Sequence, residues 1–128
     1  MPKPAQTALH RAAPSVKVML HCCGAVRPLL PDIIDAGLDV INPVQISCGG
    51  MDAEGLKRDF GRDLAFWGGG CDTQRVLPSG TPDEVREHVK SQLRIMAPGG
   101  GFIFQQVHNI LGNVPAQNII AMYEAARN

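Results

Sequence analysis

The sequence predicts an α/β fold made of four parallel βα units, and three observations carry that expectation. Four short apolar runs each lead through a loop into a stretch with the spacing of an amphipathic helix. The loops are rich in Gly and Pro, as connections between such elements are. The polar and reactive side chains gather just behind the runs, where the loops of a parallel sheet converge on one functional face. The 128 residues suffice for one domain with a modest core. They fall well short of the roughly 250 residues that a complete α/β barrel requires.

Residues 1–14, with Ala8, Leu9 and Ala12 at helical spacing, read as the frayed end of a preceding helix, and the domain proper spans 15–128. The first strand is expected within 16–23, a run rich in β-formers. Its helix follows from Leu29, Leu30, Ile33 and Ile34, with Gly37 placed as a C-terminal cap. The second strand lies within 38–42 and is stopped by Pro43; the next helix takes Asp52 as N-cap, buries Leu56 and Phe60, and ends at Gly61. The third strand lies within 64–67. Its helix has the clearest start in the chain, with Thr81 as N-cap, Pro82 at the first helical position and Glu84 completing a capping box. Val85, Val89 and Leu93 form its buried stripe. The fourth strand lies within 101–105, and the last helix opens near Pro115 with Ile119, Ile120 and Tyr123 as its apolar face. Connections between parallel strands of this kind are right-handed.

Composition narrows the function classes. The formal net charge is zero and Lys and Arg are scattered, so no electrostatic footprint for nucleic acid or an anionic membrane is present. No apolar stretch approaches the roughly 20 residues of a membrane span. The first residues lead into no apolar signal segment, so a cytoplasmic location is expected. In that compartment four cysteines are expected as thiols or metal ligands rather than disulfides.

His21, Cys22 and Cys23 close the first run; Asn42, Gln45 and Cys48 follow the second; Cys71 and Asp72 follow the third; His108 and Asn109 follow the fourth. The focal motif is His21-Cys22-Cys23-Gly24. Residues i and i+2 of an extended segment point the same way, so His21 and Cys23 can meet one ion while Cys22 faces elsewhere. Imidazole and thiolate ligands suit zinc. Cys71, at the end of another strand, is the first candidate for a third ligand and Cys48 the second. A hydrogen-bonded strand-end histidine and small apolar filler cysteines would account for the same residues. Asp72 either binds a substrate cation or N–H group or caps a turn. His108 either donates to a carboxylate, moves a proton, or is structural. Phe66 and Trp67 are expected in the core or helix layer, and the triplets Gly68–Gly70 and Gly99–Gly101 admit a ligand or simply turn the chain.

Taken together, His21-Cys22-Cys23-Gly24, Gly37-Leu38-Asp39-Val40, Asp72, Thr81-Pro82-Asp83-Glu84-Val85, Ala97-Pro98-Gly99-Gly100-Gly101 and the segment from His108 to Pro115 resemble the uroporphyrinogen decarboxylase superfamily. The likeness runs from about Val16 to Ala126 and matches the later half of that family's barrel. It implies the C-terminal half of a TIM (β/α)8 barrel. One branch of the family comprises zinc-dependent methyltransferases, whose H-x-C motif supplies two zinc ligands that fall here on His21 and Cys23. Their third ligand is the cysteine of an A-P-G-C-G segment, where this chain has Gly100, so Cys71 would have to substitute. The other branch, the decarboxylases, needs no metal. Its cleft histidine corresponds to His108 and the aspartate of its G-N-L-D-P segment to Asp72, whereas its N-terminal arginines, aspartate and tyrosine have no counterpart here.

The resemblance therefore implies a parent activity of zinc-dependent methyl transfer from a methylated corrinoid to a thiol or similar acceptor. A tetrapyrrole carboxy-lyase is the alternative. A small-molecule substrate or a corrinoid protein is the implied partner. A non-catalytic half-barrel that self-associates is the third expectation. Four units leave an unpaired strand on each side. Inward-facing Val18, Leu20, Val40 and Phe66 would also stay partly wet, so a homodimer is expected.

Overall fold

The computed structural model describes residues 8–128; residues 1–7 of the expected N-terminal helix end lie outside the described part. The elements run α1 (Ala8–Ala12), β1 (Met19–His21), a 3-10 turn (Arg27–Leu29) entering α2 (Leu30–Asp35), β2 (Val40–Asn42), α3 (Ala53–Phe60), β3 (Ala65–Trp67), α4 (Val76–Ser79), α5 (Pro82–Met96), β4 (Phe102–Ile103) and α6 (Ala116–Arg127). The strands form one sheet in chain order, and every neighbouring pair is parallel. Four consecutive parallel βα units are thus present, half the strand number of a (β/α)8 barrel. The short α4, inserted ahead of α5, was not anticipated.

Local chemistry sets the helix limits. Asp52 accepts the Gly55 amide at 2.7 Å and α3 ends at Gly61. Thr81 accepts from the Glu84 amide while the Glu84 carboxylate accepts from the Thr81 amide, closing the capping box of α5. α1 is held to the sheet by His10, whose Nε2 lies 2.9 Å from Asp39 Oδ2; that carboxylate also accepts the Val18 amide at 2.9 Å.

The register aligns Leu20, Ile41, Phe66 and Phe102 in one row across the sheet. These side chains pack with Leu30, Leu56 and Met96 beneath the helices. Alternation then places Met19, Val40, Ala65, Trp67 and Ile103 on the opposite face. This corrects the expected inward set: Val18, Leu20 and Phe66 belong to the helix layer, and only Val40 faces the other way. The apolar runs carry hydrophobic residues at both parities, so the sequence alone left the face undecided. Met19 is 48% exposed, Trp67 37% and Ile103 44%, so this inner face lies open.

A second cluster joins Cys71, Leu77, Val85, Val89, Ala121 and Met122 between α4, α5 and α6. Here α6 departs from expectation. It buries Asn118, Ala121, Met122 and Ala125, whereas Ile120 and Tyr123 stand exposed. The Asn118 amide donates to the carbonyls of Leu77 at 2.9 Å and Gly80 at 2.8 Å, fixing the helix with that side inward. Small Ala121 and Ala125 on the same side suit close helix contact. Among the described residues no helix is long and apolar enough to cross a membrane.

Candidate functional site

The C-terminal ends of the strands carry a hydrogen-bonded ladder. His21 and Asn42 are register partners on β1 and β2. Buried Asn42 donates its side-chain amide to the Trp67 carbonyl at 2.9 Å and to Gln105 Oε1 at 3.2 Å. Those bonds orient the amide, leaving Asn42 Oδ1 to accept from His21 Nδ1 at 2.7 Å. With the proton on Nδ1, His21 Nε2 keeps its lone pair. That atom lies 3.7 Å from Cys23 Sγ. Gln45 Oε1 accepts the Gly24 amide at 2.8 Å and pins the loop that carries Cys23. The expectation that His21 and Cys23 turn the same way is met, and Cys22 packs instead against the helix-side core.

Cys23 and Gln45 line a cleft of about 280 Å³ with Thr73, Gln74, His108, Asn109 and Leu111. The loops after all four strands therefore meet at one mouth, and His108 shares it with Cys23. Sequence reasoning gave Asn42 no role and overlooked Gln105, which anchors the ladder from beyond β4. Asn42 sits at the polar end of β2, level with His21, and that was the one available signal for it.

The other expected site residues lie elsewhere. Cys71 is wholly buried in the second cluster, and burial, then the charge of Asp72, pushes its thiol up to about 12. Cys48, the second choice, packs against the first cluster. Among the described residues no three His, Cys, Asp or Glu side chains converge as a metal-holding group. Neither cysteine therefore joins His21 and Cys23. Gly100 lies in the turn that enters β4, at the opposite end of the sheet from His21, so a ligand in that position could not reach the mouth.

Asp72 takes the turn-capping role: its Oδ1 accepts the amides of Gln74 at 2.8 Å and Arg75 at 3.4 Å. Its own amide donates to His88 Nε2 at 3.1 Å, and burial holds the His88 imidazole below its ordinary pKa despite the nearby Asp72 charge. Asp72 and His88 line a separate cleft of about 430 Å³ between α3 and α5, away from His108. The glycines after β3 serve packing within the chain. A Cβ on Gly70 would stand 2.4 Å from the Phe104 ring, and Gly69 has a φ of +84° that glycine adopts without strain.

A family model described as uroporphyrinogen decarboxylase (URO-D) matches residues 3–128. No curated protein matches the chain. The match spans nearly the whole sequence, and the four parallel βα units have the architecture of half a TIM barrel. The chain belongs to the uroporphyrinogen decarboxylase superfamily.

Proposed function

We propose that the mouth of this domain serves methyl transfer from a methylated corrinoid to a thiol or similar small acceptor, with zinc held by His21 and Cys23. The observation that carries the reading is the His21–Cys23 pair. Zinc bonds of about 2.3 Å to sulfur and about 2.0–2.1 Å to nitrogen, at a tetrahedral angle, set two ligand atoms about 3.6 Å apart. Nε2 and Sγ stand 3.7 Å apart before any ion is considered. The His21 tautomer that suits a ligand is also the one this bond favours, because Asn42 Oδ1 accepts from Nδ1–H and Nε2 is left free to ligate.

When bound, zinc would supply the Lewis acidity that keeps an acceptor thiol ionised. Asn42, Trp67 and Gln105 hold the imidazole in place, and Gln45 holds the Cys23 loop. Thr73, Gln74, His108 and Asn109 present polar groups to whatever enters the cleft, and Leu111 gives it an apolar side. The carboxy-lyase alternative draws on Asp72 and His108 acting together, and these line different clefts.

The test is zinc content after exhaustive dialysis. The wild-type chain should retain zinc at no more than about one per chain, with the positions beyond His21 and Cys23 left to water or an incoming thiol. Cys23→Ser should lose most of it, whereas Cys22→Ser and Cys71→Ser should keep it. Equal retention in the Cys23 and Cys22 variants rejects the assignment.

A further inference from the structure

We infer that the cleft between α3 and α5 binds a small organic cation, an alkylammonium group whose N–H donors reach Asp72 and Gln92. Its walls come from the loop after β2, the start of α3, the turn after β3 and one face of α5. Two consecutive βα units therefore enclose it, and it shares no lining residue with the Cys23 cleft. At about 430 Å³ it has the size of a small-molecule site.

The first observation is an under-neutralised carboxylate. The Asp72 side chain is only 8% exposed, and its Oδ1 is taken up by the Gln74 and Arg75 amides. The cation near its Oδ2 is Arg75 Nε at 3.9 Å, on a side chain that is 82% exposed. A guanidinium so far into solvent offsets little of a buried charge. His88 brings no positive charge either. Burial holds its imidazole below the ordinary pKa, and its Nε2 already accepts the Asp72 amide.

The second observation is a pair of orphaned atoms. Among the described residues, Ser47 Oγ and Gln92 Oε1 are the buried side-chain polar atoms without a hydrogen-bond partner, and both residues line this cleft. Such atoms are rare in folded proteins because each costs free energy, so two at one place mark a feature to be explained. Gln92 stands one turn after His88 on the same face of α5. Its Oε1 can only accept, so a ligand that answers it must donate.

Charge selects the kind of donor. Asp52 and Glu54, at the start of α3, bring the lining to three carboxylates against the single Arg75, a balance that attracts cations and repels anions. No three His, Cys, Asp or Glu side chains among the described residues gather as a metal-holding group. The acceptors therefore suit an ammonium head, which carries three donors and no acceptor. Ile46, Val76 and Ile95 supply an apolar wall for a short alkyl stem.

The experiment is an NMR titration of the full 128-residue chain, in chelator, with butylamine, butanol and butyrate, which share a stem and differ in the head group. Butylammonium should move the Gln92 side-chain amide and the Asp72 backbone amide saturably. Butanol should bind at least about tenfold more weakly and butyrate not at all. Asp72→Asn and Gln92→Leu should each weaken butylammonium binding by about tenfold. Gln92→Leu also removes an orphaned acceptor, so its urea midpoint should not fall, which separates lost binding from a lost fold. The inference is overturned if butylammonium gives no saturable shift, if butanol or butyrate binds as well, if the shifts fall in the Cys23 cleft instead, or if both variants bind undiminished. None of these outcomes bears on zinc retention by Cys23, so the two readings stand or fall separately.

Discussion

Asn118 is the residue on which the packing of α6 turns, and Asn118→Leu removes its hydrogen bonds while keeping its branched shape, at some increase in volume. The wild-type amide donates to the Leu77 and Gly80 carbonyls, of which the first is buried and the second partly so. Each lost bond is worth about 1 kcal/mol net, and a carbonyl left dry costs about 1–3 kcal/mol more. The Leu77 carbonyl bears that cost in full, and water relieves the Gly80 carbonyl. The added apolar surface of leucine offsets part of the loss, so the net destabilisation should be about 2–3 kcal/mol. Gln117, the exposed neighbour, is the control, and Gln117→Ala should stay within about 0.5 kcal/mol. Urea unfolding followed by helix circular dichroism, at one protein concentration throughout, measures both. If Asn118→Leu costs no more than Gln117→Ala, the argument that these bonds orient α6 fails.

Two further outcomes follow from the electrostatics and burial. In metal-free protein at pH 8, iodoacetamide should modify exposed Cys23 readily and leave Cys71 untouched until denaturant is added, because Cys71 is buried with its thiol pushed up to about 12. Mass spectrometry of peptides reads this, and equal labelling of the two in native protein would contradict the burial. Burial works against ionisation of Asp39, but hydrogen bonds from the Val18 amide, His10 and Lys17 outweigh it and hold the carboxyl below its usual range. A depressed native value means that its stabilisation is complete above the unfolded value of about 3.9 and is lost as pH falls through the native one. The difference in melting temperature between wild type and Asp39→Asn should therefore shrink toward low pH. A difference that grows on acidification would reverse the sign of the argument.

The limits of α3 and α5 were legible because a cap is a contact within one turn. Asp52 and Gly61 bound the first, and Thr81 and Glu84 start the second, as their spacing indicated. The strands were legible as runs but not as faces, since runs such as 16–23 are apolar at both parities. α6 misled for a related reason. Its sequence offers Ile119, Ile120 and Tyr123 as an apolar stripe, yet two bonds from polar Asn118 hold another side inward.

The site divides along the same line. The sequence by itself determined the α/β class, the four parallel units and the placing of His21 and Cys23 on one side of an extended segment. All of these depend on periodicity or on neighbours a few residues apart. Only the tertiary structure decided which distant groups meet. It set Asn42 and Gln105 behind His21, brought His108 to the cleft of Cys23, and left Cys71 beneath the helices and Asp72 in a turn. Those outcomes depend on register between strands and on helix rotation, which are fixed by packing between segments far apart in the chain.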